Sequence, residues 1–254
     1  MLETNLKHIK QKLGNIKASA KYTIYKLRGE YYNWVKPKIV KIKGIQICVP
    51  ENIPEDLEEA LYYGYYEENE LKIIRSQLKP DDIVMELGTG LGLLSTFCAS
   101  QIGSDRVFTY EANPELKSII QHNYALNKVS PHLENCMLGD EPKEVTFYVS
   151  DSIWDSSNIK YKENLRAVQI TVKALNKEIK KINPSFMIID IEGGEYELFQ
   201  DIDFHNVKKL AMELHEFIIG SDKAISIKSK LTEAGFKLNE KFSYGGRELF
   251  WERN

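Results

Sequence analysis

Two groups of residues in this chain have the types and spacing to do chemistry together. In the first, Glu86-Leu-Gly88-Thr-Gly90-Leu-Gly92 sits between apolar Ile83-Val-Met and Leu93-Leu-Ser. That order reads as a buried strand, a glycine bend and a helix start. Without Cβ atoms the bend can turn tightly and bring its backbone against a ligand, and the helix N-terminus offers unpaired N–H groups to a carboxylate. Glu111 closes the next apolar run, Val107-Phe-Thr-Tyr, where a carboxylate can accept hydrogen bonds from ribose hydroxyls. In the second group, Phe186-Met-Ile-Ile delivers Asp190, Glu192 and Glu195, and Lys209-Leu-Ala-Met delivers Glu213 and His215. A period of two puts Ala211, Glu213 and His215 on one face of a strand. A histidine among carboxylates suits proton removal from a hydroxyl held in line with an electrophile.

The glycine spacing discriminates between cofactors. A nicotinamide fingerprint requires a further glycine at position 93, where Leu93 stands, so S-adenosylmethionine is favoured over a dinucleotide. The predicted cofactor residues are Glu86, Gly88, Thr89, Gly90, Gly92, Glu111, Ala112, Asp140 and Asp190. Asp140, with the backbone after Cys136, could read an adenine edge, although Gly139-Asp140 is also ordinary turn chemistry. His215 is the first choice of catalytic base by intrinsic pKa. Asp190 is the second, as base or as the group that orients the hydroxyl, and Glu192 could steady an ammonium or an acceptor hydroxyl. Glu195 could simply favour a helix dipole, and Asn113 cap a helix. A divalent cation held by Asp190 with Glu192, Glu213 or His215 is a minority option. No spacing is diagnostic of one, and no metal ligand is assigned.

The elements that must position these residues alternate. Strands are predicted at 83–87, 106–110, 132–137, 145–149, 167–172, 186–191 and 209–214, and helices at 91–101, 115–127, 172–180, 195–200 and 224–234. Residues 237–242 and 248–252 suit an antiparallel pair. The pattern predicts an α/β fold: a doubly wound, seven-stranded, mostly parallel, Rossmann-like sheet, with ligands at the carboxyl ends of its strands. Upstream, 55–78 is helical in character with a break at Gly64, and carries the cluster Tyr62-Tyr63-Gly-Tyr65-Tyr66-Glu67-Glu68. Residues 39–49 suggest a hairpin around Lys43-Gly44. Loop 150–166, with Trp154 and Ser156-Ser157-Asn158, is the longest candidate for a lid over the site.

The front of the chain is different in kind. Residues 1–43 hold eleven Lys or Arg against two Glu, a net +9, whereas 44–254 hold 23 basic and 35 acidic side chains, a net −12. Leu6, Ile9, Leu13, Ile16, Ala20, Ile24, Leu27, Tyr31 and Trp34 recur at helical spacing. A helical, basic extension over 1–44 is therefore expected before a domain at 45–254. Its apolar face is expected to pack on the main domain or, through residues 4–34, on a twin subunit. Peripheral contact with a membrane is the sharper alternative. The acidic body argues against a nucleic-acid partner. Cys48, Cys98 and Cys136 are widely separated, suggesting reduced thiols and a cytoplasmic setting. No apolar run is long enough to span a bilayer.

Together these residues resemble the FkbM family of S-adenosylmethionine-dependent methyltransferases, over roughly residues 45–250. Gly64-Tyr65-Tyr66-Glu67 looks like its lead-in, Glu86 through Gly92 its cofactor loop, and Glu111-Ala-Asn113-Pro114 its ribose segment. Ile189-Asp190-Ile191-Glu192-Gly193-Gly194-Glu195 is the most distinctive match, supported by Glu213-Leu-His215. The chain departs from the family at Glu86, where Asp is common, and at Ala174-Leu175-Asn176, where Leu-Asp is usual. The resemblance implies O-methylation of a hydroxyl on a sugar, glycan or small secondary metabolite. The rival readings are a nicotinamide-dependent oxidoreductase, against which Leu93 counts, and a noncatalytic Rossmann-like scaffold, against which the intact acids count.

Overall fold

The computed structural model describes residues 22–150 and 165–253. Its centre is a mixed seven-stranded sheet in the order β11-β12-β10-β9-β3-β4-β5. The strands are β3 (Val84–Leu87), β4 (Val107–Tyr110), β5 (His132–Glu134), β9 (Phe186–Ile189), β10 (Lys209–Glu213), β11 (Lys237–Leu238) and β12 (Glu248–Glu252). Strands β5, β4, β3, β9 and β10 pair in parallel, while β12 is antiparallel to both β10 and β11. All four residues of β3 and of β9 are buried, as expected of parallel strands covered on both faces. Val84 and Ile188 join a core with helices α3 (Glu68–Gln77) and α4 (Leu93–Ile102). Met85, Met187 and Ile189 join the opposite core, with α6 (Leu175–Ile182) and α9 (Ser221–Glu233). From β3 the chain steps outward to β5 and then returns to β9 on the other side. A crevice therefore opens at the carboxyl ends of β3 and β9, the topological switch point.

Two predicted strands, 145–149 and 167–172, and part of a third do not join this sheet. The run read as one strand over 132–137 divides: His132–Glu134 pairs with β4, while β6 (Met137–Gly139) pairs with β8 (Leu165–Ala174). Strand β8 also pairs with β7 (Lys143–Ser150), making a separate three-stranded sheet, β6-β8-β7. The division falls at Asn135, whose side-chain amide donates to the Glu111 carbonyl at 2.7 Å. The lid candidate lies, over 151–164, outside the described residues.

Ahead of the sheet, Gly64 (φ 85°) ends α2 (Glu55–Tyr63) in the left-handed region and separates it from α3. Strands β1 (Ile39–Ile42) and β2 (Ile45–Cys48) form the hairpin. Val40, Ile42, Ile45 and Ile47 are all in the main core, so the 44/45 division drawn from charge falls inside the turn of one packed unit. Helix α1 (22–35) packs on the main domain, but not through the apolar stripe expected to make that contact. Its inner face is Tyr25, Arg28, Gly29 and Tyr32. Arg28 donates to the carbonyls of Leu61 (3.3 Å) and Tyr63 (3.5 Å), and a Cβ on Gly29 would lie 2.2 Å from the Tyr63 ring. The stripe residues Ile24, Leu27, Tyr31 and Trp34 face outward, 64%, 61%, 56% and 83% exposed. Small Gly29 lets the polar–aromatic face approach the body closely, and the face of Ile24, Leu27, Tyr31 and Trp34 is left uncovered by the described residues.

The three cysteines are unpaired. No described helix is long and apolar enough to cross a membrane.

Candidate active site

The loop after β3 closes on its neighbours through the backbone. The Gly88 N–H donates to the Tyr110 carbonyl at 2.9 Å. At φ 81°, a Cβ on Gly88 would fall 1.6 Å from the Asp190 carbonyl oxygen. Only glycine fits, and its presence brings the cofactor loop directly against the strand end that bears Asp190. Glu111 ties the loop down from the other side. Its Oε2 accepts the N–H groups of Thr89 (3.0 Å) and Gly90 (3.1 Å), and its Oε1 accepts that of Asn113 (2.8 Å). Burial pushes the Glu111 carboxyl above its ordinary pKa, and the backbone donors oppose that push.

Not every predicted cofactor residue stands on the cavity wall. Glu86 is 1% exposed and lies beneath the loop, hydrogen-bonded to Ser95 and Thr89. Burial raises its pKa to about 8, which makes it a largely protonated buttress. Thr89 is equally buried and sends its hydroxyl to the Tyr110 carbonyl at 3.3 Å. Gly92 caps α4. Gly88, Gly90, Glu111, Ala112, Asp140 and Asp190 do line the cavity, which encloses about 1140 Å³. Asp140 lies at its rim, in an exposed pair with Lys143 at 3.0 Å.

One end of the cavity has the complement of an adenosine-bearing ligand: bare loop backbone, the Glu111 carboxylate, and apolar Leu138 and Phe147 from the second sheet. Those walls suit S-adenosylmethionine, with volume remaining for an acceptor. Phe147 escaped sequence reading because its strand looked like another member of the main sheet.

The other end is acidic. His215, 1% exposed, stands behind the wall, its Nδ1 2.6 Å from Glu195 Oε1. Glu195 is fully buried and also accepts the Gly193 N–H at 3.1 Å. With Nδ1–H directed at Glu195, Nε2 faces Glu192 (3.3 Å), Glu213 (3.6 Å) and Asp190 (3.8 Å). Burial alone would lower the His215 pKa; the Glu195 hydrogen bond and the charges of Glu192, Glu195 and Glu213 overcome it and raise the value. The raised pKa favours the protonated imidazole, which would be a buried counter-charge for the acids in front of it. Asp190, Glu192 and Glu213 all line the cavity, and Asp190 Oδ1 has no hydrogen-bond partner among the described residues. Burial, then the charges of Glu213, Glu192, Glu67 and Glu70, push its pKa well above the carboxylate range. Glu213 is paired with Arg247. Glu192 holds φ 50° in the turn, a conformation rare for a side-chain-bearing residue. Asp190, Glu213 and His215 each present one atom within 4.8 Å of the others, a spacing that a divalent cation could bridge.

Sequence reading did not single out Glu67 and Glu70, which line the same end. The tyrosine cluster drew attention to their segment, but nothing in its composition told which side chains turn inward. Glu67 also has a positive φ, 46°; its carboxyl is hydrogen-bonded to Tyr66, while its Oε2 has no hydrogen-bond partner among the described residues. Tyr66, beside it, accepts the Leu91 N–H at 3.4 Å.

Residues 86–238, more than half of the chain, match the family model described as the methyltransferase FkbM domain. No curated protein matches the chain. Among solved structures, a methyltransferase from Pyrococcus furiosus is 14% identical, with a TM-score of 0.47 over 90% of this chain and 98% of that one. The TYW2 protein of M. jannaschii, in complex with AdoMet, is 13% identical, with a TM-score of 0.42 over 85% and 81% of the respective chains.

Proposed function

The chain belongs to the FkbM family of S-adenosylmethionine-dependent methyltransferases, and from that premise we propose that it methylates a hydroxyl of a sugar, glycan or similarly hydroxylated small molecule. The observation that carries this reading is the acidic end of the cavity, where carboxylates outnumber cations and Asp190 Oδ1 has no partner among the described residues. Such a wall accepts hydrogen bonds. It complements the several O–H donors of a carbohydrate and repels phosphates and carboxylates.

The bound cofactor would supply a methyl group made electrophilic by its sulfonium. Glu111 and the Gly88–Gly90 backbone are the residues to hold its nucleoside, with Leu138 and Phe147 against the base. Asp190 accepts the hydrogen bond of the acceptor hydroxyl and takes its proton as the oxygen gives up electron density. A carboxyl whose pKa has been raised is a better base than an ordinary one once ionised. His215 is a positioning residue: it sits behind Asp190, fixed by Glu195, and its charge lets a carboxylate exist among other carboxylates. The buried imidazole and the cavity-facing acid thus exchange the roles that intrinsic pKa alone suggested.

The test is transfer of isotope from methyl-labelled S-adenosylmethionine to a panel of sugars, glycans and small hydroxylated metabolites. Label is expected on oxygen. Label confined to amine nitrogen, from aminated members of the same panel, would replace this reading with N-methylation.

A further inference from the structure

We propose that α1 is an interfacial helix that lays its outer face on an anionic lipid surface. At 100° per residue, Ile24, Leu27, Tyr31 and Trp34 fall on one side of the helix, and each is more than half exposed. The opposite side is committed to the body. There Tyr25 donates to Glu68 at 2.6 Å, Arg28 reaches the α2 carbonyls and Tyr32 packs edge-on against Tyr62. The helix is therefore held firmly while its apolar side is turned away from every described element. The same spacing of apolar residues runs upstream through Leu6, Ile9, Leu13, Ile16 and Ala20, with Lys7, Lys10, Lys12, Lys17 and Lys21 between them.

Charge selects the occupant of this face. Residues 1–43 carry a net +9, so a second copy packed through the same segment would bring two strongly cationic stretches together. An anionic bilayer attracts the same charge, and headgroup-level Trp and Tyr with flanking lysines are the side chains that interfacial helices use. The body's acids do not compete for the apolar side. Glu30 on α1 itself is paired with Lys26, and Glu58, Glu51 and Glu68 are paired with Lys36, Lys38 and Lys43, which follow the helix in the chain. Glu68, which Tyr25 holds from the inner face of α1, also lines the cavity, so a lipid surface on the outer face would lie across the helix from the site.

The test is flotation of the full-length protein with vesicles of phosphatidylcholine alone or mixed with phosphatidylglycerol. The protein is expected to float with the mixed vesicles, to stay behind with the neutral ones, and to be released by high salt. The exposed double variant Leu27→Ser, Trp34→Ser should lose about tenfold in vesicle affinity while keeping its circular dichroism, cofactor binding and methyl transfer to a soluble acceptor. Equal flotation of the variant, or no flotation of the parent, overturns the proposal. So does a lipid-free dimer of the parent, seen by analytical ultracentrifugation and dissolved by the same substitutions, because a second copy would then own the face. The flotation, circular dichroism, cofactor-binding and ultracentrifugation readouts do not depend on the identity of the acceptor.

Discussion

Glu111 and Asp190, one at each end of the cavity, are held in opposite ways. At the cofactor end, both oxygens of Glu111 are engaged by backbone N–H groups before any ligand arrives. At the acceptor end, Asp190 Oδ1 and Glu67 Oε2 are buried with no hydrogen-bond partner among the described residues. An unsatisfied buried acceptor costs about 1–3 kcal/mol. The fold tolerates that cost where a ligand's hydroxyls can offset it. A fixed cofactor allows the chain to build its complement in advance; a substrate with several hydroxyls needs acceptors left open.

The widest separation of the two ends comes from Asp190→Asn. Methyl transfer in single-turnover experiments should fall by about 10²–10⁴-fold, the usual contribution of a positioned base, with cofactor affinity by calorimetry little changed. Turnover within tenfold of the parent would remove Asp190 as the proton acceptor. The converse substitution, Glu111→Ala, should act on binding. It removes charge-assisted hydrogen bonds worth about 1.5–3 kcal/mol each and frees the Thr89–Gly90 backbone, so the cofactor isotherm should weaken by at least tenfold. An unaltered isotherm would show that the loop holds without its anchor.

A finer cut concerns the pair behind the acceptor wall. Asp190 must be ionised to take a proton, so activity should rise with pH through its raised pKa and fall below it. In His215→Asn the imidazolium is lost, the remaining acids repel one another more strongly, and the Asp190 pKa should rise further. The acidic limb of the pH–rate profile therefore moves to higher pH, by about one unit for each 1.4 kcal/mol of lost attraction. A lower rate with an unmoved limb would mean that His215 only packs. Glu195→Gln, which keeps shape and weakens the orienting charge, should move the limb in the same direction and less far.

Glu86 sharpens the comparison through stability. Its folded pKa, about 8, exceeds the ordinary 4.5 because of burial. Between those values the folded state keeps a proton that the unfolded chain releases, so this group's contribution is complete below pH 4.5 and is lost as pH rises toward 8. Denaturant titration should show Glu86→Gln gaining on the parent over that window, on the order of a few kcal/mol at most. A constant difference from pH 5 to pH 8 would mean that Glu86 is ionised under the loop.

What the sequence made legible follows from how local each signal is. The central strands announce themselves because all of their residues are buried, and Gly88 because no other residue could sit 1.6 Å from a carbonyl oxygen. The strand ends that bring Asp190 and His215 together were readable from period and topology. Which of the two faces the cavity was not, since that depends on a Glu195 contact reaching back 20 residues. The second sheet was illegible for a related reason: β7 and β8 have the composition of core strands, and the chain leaves β5 at Asn135, whose amide bonds the distant Glu111 carbonyl. For α1, hydrophobic spacing gave a face but not its direction. Gly29 against the Tyr63 ring decided that.

The smallest expected effect bears on whether the acidic end is completed by a metal. Asp190, Glu213 and His215 are spaced as ligands could be, and carboxylates so close need positive charge. Two sources are already built in: Arg247 on Glu213, and the His215 imidazole, whose pKa is raised against the pull of burial. With both present the acids can stay together, and the raised His215 pKa favours a proton on Nε2 over a metal. Prolonged chelation followed by gel filtration should therefore leave methyl transfer unchanged within error. Loss of activity restored by magnesium or manganese would give Nε2 a different partner, and the acceptor's proton would then be released by the ion's field rather than drawn off by Asp190 alone.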